Sequence, residues 1–200
     1  MRALKLFAAI ATAAVMAGCA SAKAAAPAAS APSSAAPSSA APGSSAPSSS
    51  APSSSAAGPS VSALMVCGTE IAGDVNTILA ASPAPTKTST WSDHLYTCTY
   101  HLASGTLVLS VKESPDAASA NTYLAALQHQ LGSTTALTGS QGLGFPGFQN
   151  AAGNVVILKD DKTLHVDATG LSAASGPSKL SRADVAYEIA TDILGCWTGK

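Results

Sequence analysis

The chain has 200 residues and few charges: 10% of its residues are Asp, Glu, Lys or Arg, and its formal net charge is −1. Residues 61–200 carry seven basic and eleven acidic side chains, a formal charge of −4, and the basic ones are scattered. Binding to phosphate groups needs a clustered positive surface. The composition therefore argues against nucleic acid as a partner.

The amino-terminal segment has the layout of a bacterial export signal. Arg2 and Lys5 form a basic start, and an apolar core runs from Leu6 to Val15. That core is too short for a membrane-spanning helix, which needs about 20 apolar residues. The small residue Gly18 stands directly before Cys19, as in a lipobox, so the segment resembles a lipoprotein signal. The resemblance implies cleavage after residue 18 and lipid on Cys19, which would anchor the protein to the outer face of the cell membrane.

A low-complexity segment follows the lipobox and completes residues 19–60. It consists almost wholly of Ala, Pro, Ser and Gly, with Lys23 as its only charge. Such a composition cannot bury enough apolar surface to offset the entropy of folding. Recurring prolines favour extended polyproline II segments. We expect a disordered tether that carries a folded domain, residues 61–200, away from the membrane.

The first elements of the domain are predicted to be a helix and a hairpin. Apolar residues at helical spacing predict a helix over Gly68–Ala81, which ends before Pro83. A polar loop then leads to the first strand, Leu95–Leu102, where polar and apolar residues alternate. A short turn returns the chain as a second strand, Thr106–Lys112.

The middle of the domain repeats this arrangement. Ser114 is predicted to cap a helix that ends after Leu131. A glycine-rich loop, Gly139–Gly153, precedes a second hairpin of strands Val155–Lys159 and Thr163–Ala168. The charged residues Asp160 and Asp161 are expected to form the solvated turn of that hairpin. In its second strand, alternation places Leu164 and Val166 inside and leaves His165 and Asp167 toward solvent.

The last helix is predicted to start at Ser181, which forms a capping pair with Asp184. Val185, Ile189 and Ile193 line one face of this helix. The predicted order is therefore α-β-β-α-β-β-α. Hairpins imply antiparallel pairing, so we expect an α+β domain with a four-stranded antiparallel sheet and helices packed on one face.

This organisation resembles that of small actinobacterial cell-envelope lipoproteins with a lipobox signal, an Ala/Pro/Ser stalk and a single α+β domain. The resembling residues are Cys67, Thr97-Cys98-Thr99-Tyr100, Gly142-Leu143-Gly144 and Gly195-Cys196-Trp197. The resemblance covers the whole domain and implies its placement and its fold. The motifs that carry it are structural, so it implies no activity.

Three cysteines lie in the domain: Cys67, Cys98 and Cys196. An extracytoplasmic compartment permits disulfides, and three cysteines allow one bridge with one thiol left over. The resemblance implies the pair Cys67–Cys98, which ties the first helix to the first strand. The alternative pair is Cys67–Cys196, which would join the two ends of the domain.

The glycine-rich loop holds two candidate binding residues, Phe145 and Phe148, whose rings would contact a partner from the surface. The competing interpretation, which we favour, places both rings in the core. Gly142 to Gly147 also match the spacing of a dinucleotide-binding loop. That motif should open a helix, and the residues after Pro146 do not predict one.

Catalytic and metal-binding patterns are weak in this sequence. The histidines lack metal-site spacing and no C-x-x-C motif occurs, so we predict no metal and no cofactor. Asp93 and His94 near Trp91 are candidates for a cleft mouth. The expected function is a non-catalytic binding or accessory domain for an envelope protein, wall polymer or small molecule. The alternatives are an envelope hydrolase, using Asp93, His94 or the left-over thiol, and a structural spacer.

Overall fold

The computed structural model describes residues 58–197. The predicted signal, Cys19 and the tether up to residue 57 lie outside the described residues. The helices are α1 (Val61–Met65), α2 (Thr69–Leu79), α3 (Ala117–Leu131) and α4 (Arg182–Cys196). A short 3-10 helix spans Gly139–Gly142. None of the helices within 58–197 combines the length and the hydropathy that a bilayer crossing requires.

The strands form one large sheet and one small hairpin. They are β1 (Thr86–Ser92), β2 (Leu95–Leu102), β3 (Gly105–Glu113), β4 (Thr135–Leu137), β5 (Gly147–Asn150), β6 (Asn154–Lys159), β7 (Lys162–Asp167), β8 (Ala174–Ser175) and β9 (Leu180–Ser181). The large sheet has seven strands in the order β1-β2-β3-β7-β6-β5-β4, and each neighbouring pair is antiparallel. The α+β class and the antiparallel pairing are confirmed.

The prediction of four strands is wrong. The four predicted strands are the centre of the sheet, β2-β3-β7-β6, and three further strands extend it at both edges. β1 lies in the segment predicted as a polar loop, and its seven residues are almost all exposed. β4 precedes the glycine-rich loop and β5 lies within it. An edge strand with little burial does not need alternating apolar residues, so periodicity missed these three.

The prediction that the helices share one face of the sheet is also wrong. Val155 belongs to the main core, which contains the buried residues of α2 and α4. Its neighbour Val156 belongs to a second cluster with Leu127 of α3 and Phe148 of β5. Successive strand side chains point to opposite faces. α3 therefore covers the face of the sheet that α2 and α4 leave open.

His165 lies on the face of the sheet that α3 covers. α3 contacts β5, β6 and β7, so β7 is sheltered and His165 is only partly exposed rather than solvated. Its Nε2 lies 2.9 Å from Oδ1 of Asn154, which is itself buried. Burial lowers the pKa of His165, opposed by the nearby carboxylate of Asp167.

The predicted capping residue is correct for α4 and wrong for α3. Ser181 and Asp184 form a full capping box at the start of α4, as predicted. The cap of α3 is Asp116 rather than Ser114, because the Asp116 carboxylate accepts from the backbone N–H of Ser119 at 2.7 Å. That hydrogen bond lowers the pKa of Asp116.

Candidate functional site

A pocket of about 410 Å³ opens where the chain enters the domain. Ser60, the last residue of the predicted tether, lies on its wall. The other lining residues come from three strand ends: His94, Glu113, Ser114, Pro115, Asp161 and Lys162. Its volume lies within the range of about 300–1,000 Å³ that is usual for ligand sites. It is the candidate functional site of this domain.

The β1–β2 turn brings His94 to the pocket. Asp93 and His94 form a two-residue turn, and both have positive φ, 51° and 57°. That backbone is the type I′ turn that matches the twist of a hairpin. The carbonyl oxygen of His94 accepts a 2.8 Å hydrogen bond from the N–H of Glu113. The end of β3 therefore holds the turn in place.

Glu113, the last residue of β3, lines the pocket. It stands directly opposite Lys162 in the β3–β7 register. Its carboxylate accepts a 2.9 Å hydrogen bond from the backbone N–H of Ser60. The Ser60 side chain in turn accepts from the N–H of Ala63 and caps α1. One carboxylate thus fixes the point at which the predicted tether joins the fold.

The β6–β7 turn and the start of β7 bring a charged pair, Asp161 and Lys162, to the pocket. Lys162 Nζ lies 2.7 Å from Oδ1 of Asp161. Lys162 is only 9% exposed, so the prediction that these turn residues are fully solvated is wrong for it. The carbonyl oxygen of Asp161 also accepts from the N–H of Ser114 at 2.9 Å. Hydrogen bonds from neighbouring strand ends therefore give this site a fixed backbone.

Of the two neighbouring candidates for hydrolysis, His94 lines the pocket and Asp93 does not. Ser114, which the sequence predicted only as a helix cap, shares the pocket with His94, but within residues 58–197 no hydrogen bond joins their side chains. Asp93 accepts from the hydroxyl of its neighbour Ser92 at 3.1 Å. The ring of His94 instead meets Trp91 edge-on, with centroids 5.9 Å apart. A nucleophile, a base and an orienting acid are therefore not assembled as covalent catalysis requires.

The two phenylalanines of the glycine-rich loop separate in the structure. Phe148 is 2% exposed beneath α3, so its candidacy as a surface binding residue is wrong. Its side chain points to the face of the sheet that α3 covers, whereas the sequence predicted helices on the other face only. Phe145 is partly buried against the main core, with Lys159 Nζ 5.4 Å from its ring centroid. The loop continues into β5 and not into a helix, which removes the structural context of a dinucleotide-binding motif.

The disulfide joins Cys67 to Cys98, with their Cα atoms 5.4 Å apart. This confirms the pair that the resemblance implied and not the alternative with Cys196. The Cys196 thiol is partly buried and donates to Oε1 of Glu70 at 3.5 Å. Cys196 does not line the pocket. The thiol candidate for catalysis is therefore separate from the candidate site.

Neither a search for metal-binding groups nor a comparison with known proteins assigns a function to this site. Within the described residues, no group of three or more His, Cys, Asp or Glu side chains is arranged to hold a metal ion. Comparison with known families, curated proteins and solved structures finds no match to this chain. The resemblance to actinobacterial envelope lipoproteins stays a prediction from the sequence.

The sequence alone did not indicate this pocket. Glu113 directly follows the predicted strand Thr106–Lys112, and Asp161 and Lys162 belong to the predicted solvated turn. The missing information is the β3–β7 pairing, which places Glu113 beside Lys162 although 49 positions separate them in the chain. The available signal was that two hairpins carry charged residues at their turns or strand ends.

Proposed function

We propose that this chain is a lipid-anchored protein of the cell envelope whose α+β domain binds a ligand without transforming it. The lipobox and the tether support the anchor. The Cys67–Cys98 disulfide is consistent with an oxidising compartment outside the cytoplasm. The pocket at the entry of the domain supports the binding role, and it is the observation that carries the proposal.

The charges of the pocket favour one class of ligand. Two carboxylates, Glu113 and Asp161, face one ammonium, Lys162, so the wall carries an excess negative charge when His94 is neutral. Glu113 already accepts an N–H, from Ser60. A small molecule or peptide end that presents an amine could replace that donor. Hydrogen bonds to a charged group contribute about 1.5–3 kcal/mol, which is enough to select such a ligand.

Binding at this position would also affect the end of the predicted tether. A ligand amine that donates to the Glu113 carboxylate would displace the Ser60 N–H, which donates to the same carboxylate in the structure. The first turn of α1 is capped by the same Ser60. Occupancy of the pocket would therefore loosen the junction between the domain and the segment that leads to the membrane.

The experiment uses the full chain as bait with intact envelope material, and compares wild type with Glu113→Gln. We expect wild type to enrich an amine-bearing peptide or small molecule. We expect the variant to retain at least about tenfold less, because a hydrogen bond to a charged group contributes about 1.5–3 kcal/mol and about 1.4 kcal/mol is tenfold in affinity. Glu188→Gln is the matched control, because Glu188 is exposed on α4 and does not line the pocket. Reproducible failure of wild type to enrich any ligand would contradict the binding role.

A hydrolase is the second candidate, since His94 and Ser114 share one cavity. In that case His94→Ala would abolish hydrolysis of an ester or amide substrate while ligand retention persists. Equal hydrolysis by wild type and His94→Ala would exclude His94 as the base.

A further inference from the structure

β1 is an open edge of the large sheet. Within residues 58–197, β2 pairs with all seven residues of β1, and no strand pairs with its other side. The opposite edge, β4, has only three residues. Natural edge strands are usually shortened, charged, interrupted by proline or bulged, because an open edge templates pairing with another chain. β1 is long, contains no proline, and carries one charge, on Lys87.

The turn decides which backbone groups of β1 point outward. A two-residue turn closes on a hydrogen-bonded pair, here Ser92 and Leu95. Alternation then directs the N–H and C=O groups of Thr90, Thr88 and Thr86 toward β2. The same groups of the three residues between them point away from β2 and into the open side: Lys87, Ser89 and Trp91. They are arranged symmetrically about Ser89.

We propose that β1 pairs antiparallel with β1 of a second copy of this chain, with Ser89 opposite Ser89. This register uses every outward backbone group on both strands. Ser89 pairs with its equivalent, and Lys87 pairs with Trp91 of the second copy on either side of it. Each of these three pairs exchanges two backbone hydrogen bonds. The result is a two-fold symmetric dimer with one sheet continuous through both copies.

The side chains of β1 complement one another in this register. Lys87 comes opposite Trp91 of the second copy and not opposite another lysine. Its ammonium donates hydrogen bonds to the carbonyl oxygens of Cys67 and Gly68 in its own copy, at 2.8 and 3.4 Å, and pairing of the strands does not need to break them. Thr88 comes opposite Thr90 of the second copy on the other face, a pair that strands favour. This register therefore does not place like charges opposite each other.

Other antiparallel registers satisfy fewer groups. Centring the pair on Thr88 would place Trp91 opposite Pro85, which has no N–H to donate. Centring it on Thr90 would place Lys87 opposite Asp93, which lies in the turn with φ 51° and not in the strand. The symmetric register about Ser89 is the one that β1 fits along its length.

Engineered cysteines test this register on the full chain. Thr88 and Thr90 are exposed and point away from the face that holds Cys98, so thiols there are separated from the native disulfide. Residue 88 would lie about 4.5 Å, Cα to Cα, from residue 90 of the second copy, within disulfide range. Residue 88 would lie about 7–8 Å from its own equivalent, beyond that range. The register therefore predicts a bridge between unlike positions only.

Two full-length copies with different tags, one Thr88→Cys and one Thr90→Cys, are co-expressed, extracted in mild detergent and oxidised. We expect at least fivefold more doubly tagged disulfide dimer from the mixed pair than from either variant paired with itself. A mixed pair that gives no more dimer than the single variants would overturn the proposal, whether β1 is then solvent-exposed or holds a peptide of another protein.

Ser89→Pro in both copies tests the outward hydrogen bonds separately. Proline removes the outward N–H of residue 89 and leaves the β1–β2 ladder intact, as edge strands tolerate. We expect it to lower the mixed dimer at least fivefold, whereas Ser89→Ala, which loses only the hydroxyl, stays within twofold of the parent. Equal dimer from both variants would contradict pairing at this edge.

Discussion

The hydroxyl of Tyr100 donates a 2.7 Å hydrogen bond to the carbonyl oxygen of Val66, and both residues are fully buried. Val66 is the residue directly before the disulfide-bonded Cys67. β2 is thus fastened to the segment between α1 and α2 by a hydrogen bond and by a covalent bond. Burial, followed by the charges of Tyr96 and Asp74, raises the pKa of Tyr100 well above its ordinary value, so the donor stays protonated.

Tyr100→Phe should destabilise the domain by about 1–3 kcal/mol, because it leaves the buried carbonyl of Val66 without its donor. Urea unfolding of the full chain measures this as a lower transition midpoint. Tyr96→Phe is the matched control, since Tyr96 lies on the same face of β2 and no described hydrogen bond uses its hydroxyl. Equal losses from the two substitutions would show that the Val66 hydrogen bond contributes nothing specific.

Removing the disulfide should cost more. Cys67 and Cys98 are separated by 31 positions, and closing a loop of that length stabilises a fold by roughly 3–4 kcal/mol in the chain-entropy account. The double replacement Cys67→Ala, Cys98→Ala should therefore lower the free energy of unfolding by that amount. Cys196→Ser, outside the bridge, should cost less than about 1 kcal/mol. A double variant as stable as the Cys196 variant would contradict a structural role for the bridge.

An acidic cluster between α2 and α4 should make stability depend on pH. Burial, then the charges of Asp74 and Glu188, raise the pKa of Asp192. Burial and the charge of Glu70 likewise raise the pKa of Asp74. A carboxyl whose pKa is higher in the folded state favours folding when protonated, so this contribution is present at low pH. It is lost as the pH rises from the unfolded pKa, about 3.9, through the raised folded value.

Asp192→Asn should therefore stabilise the protein at pH 7 and have little effect near pH 3. Asp184→Asn, on the same helix, should act in the opposite direction at pH 7, because Asp184 accepts hydrogen bonds from the Ser181 backbone and hydroxyl in the capping box. Thermal unfolding of both variants across this pH range measures the two signs. A loss of stability in Asp192→Asn at pH 7 would contradict repulsion within the cluster.

Much of the fold could be predicted because its central elements carry their own signals. β2 alternates buried and partly exposed residues along Leu95–Leu102, and α4 buries Val185, Ile189 and Ile193 at helical spacing. Such patterns record burial on one face of a single element. The polar strand β1 has no such pattern, since pairing with β2 rather than burial holds it in the sheet.

The sequence did not predict β5 for a different reason. This strand starts at Gly147, and a Cβ atom there would lie 2.5 Å from the carbonyl oxygen of Val156. Only glycine permits that approach to β6, so a residue typical of loops is required within a strand. The sequence did not predict the pocket because Ser60, Glu113 and Lys162 come together only through contacts between distant parts of the chain. Patterns within one helix or strand do not indicate such contacts.

We propose that lipid on Cys19 anchors the chain outside the cytoplasm, and mass spectrometry of the mature amino terminus tests this anchor. The full chain is expressed in a bacterial host that processes lipoproteins, extracted in detergent and digested. We expect the first residue to be Cys19 and to carry a lipid, and we expect Cys19→Ala to leave the protein without this modification. A mature protein that begins at any other residue, or at Cys19 without lipid, would contradict the lipid anchor.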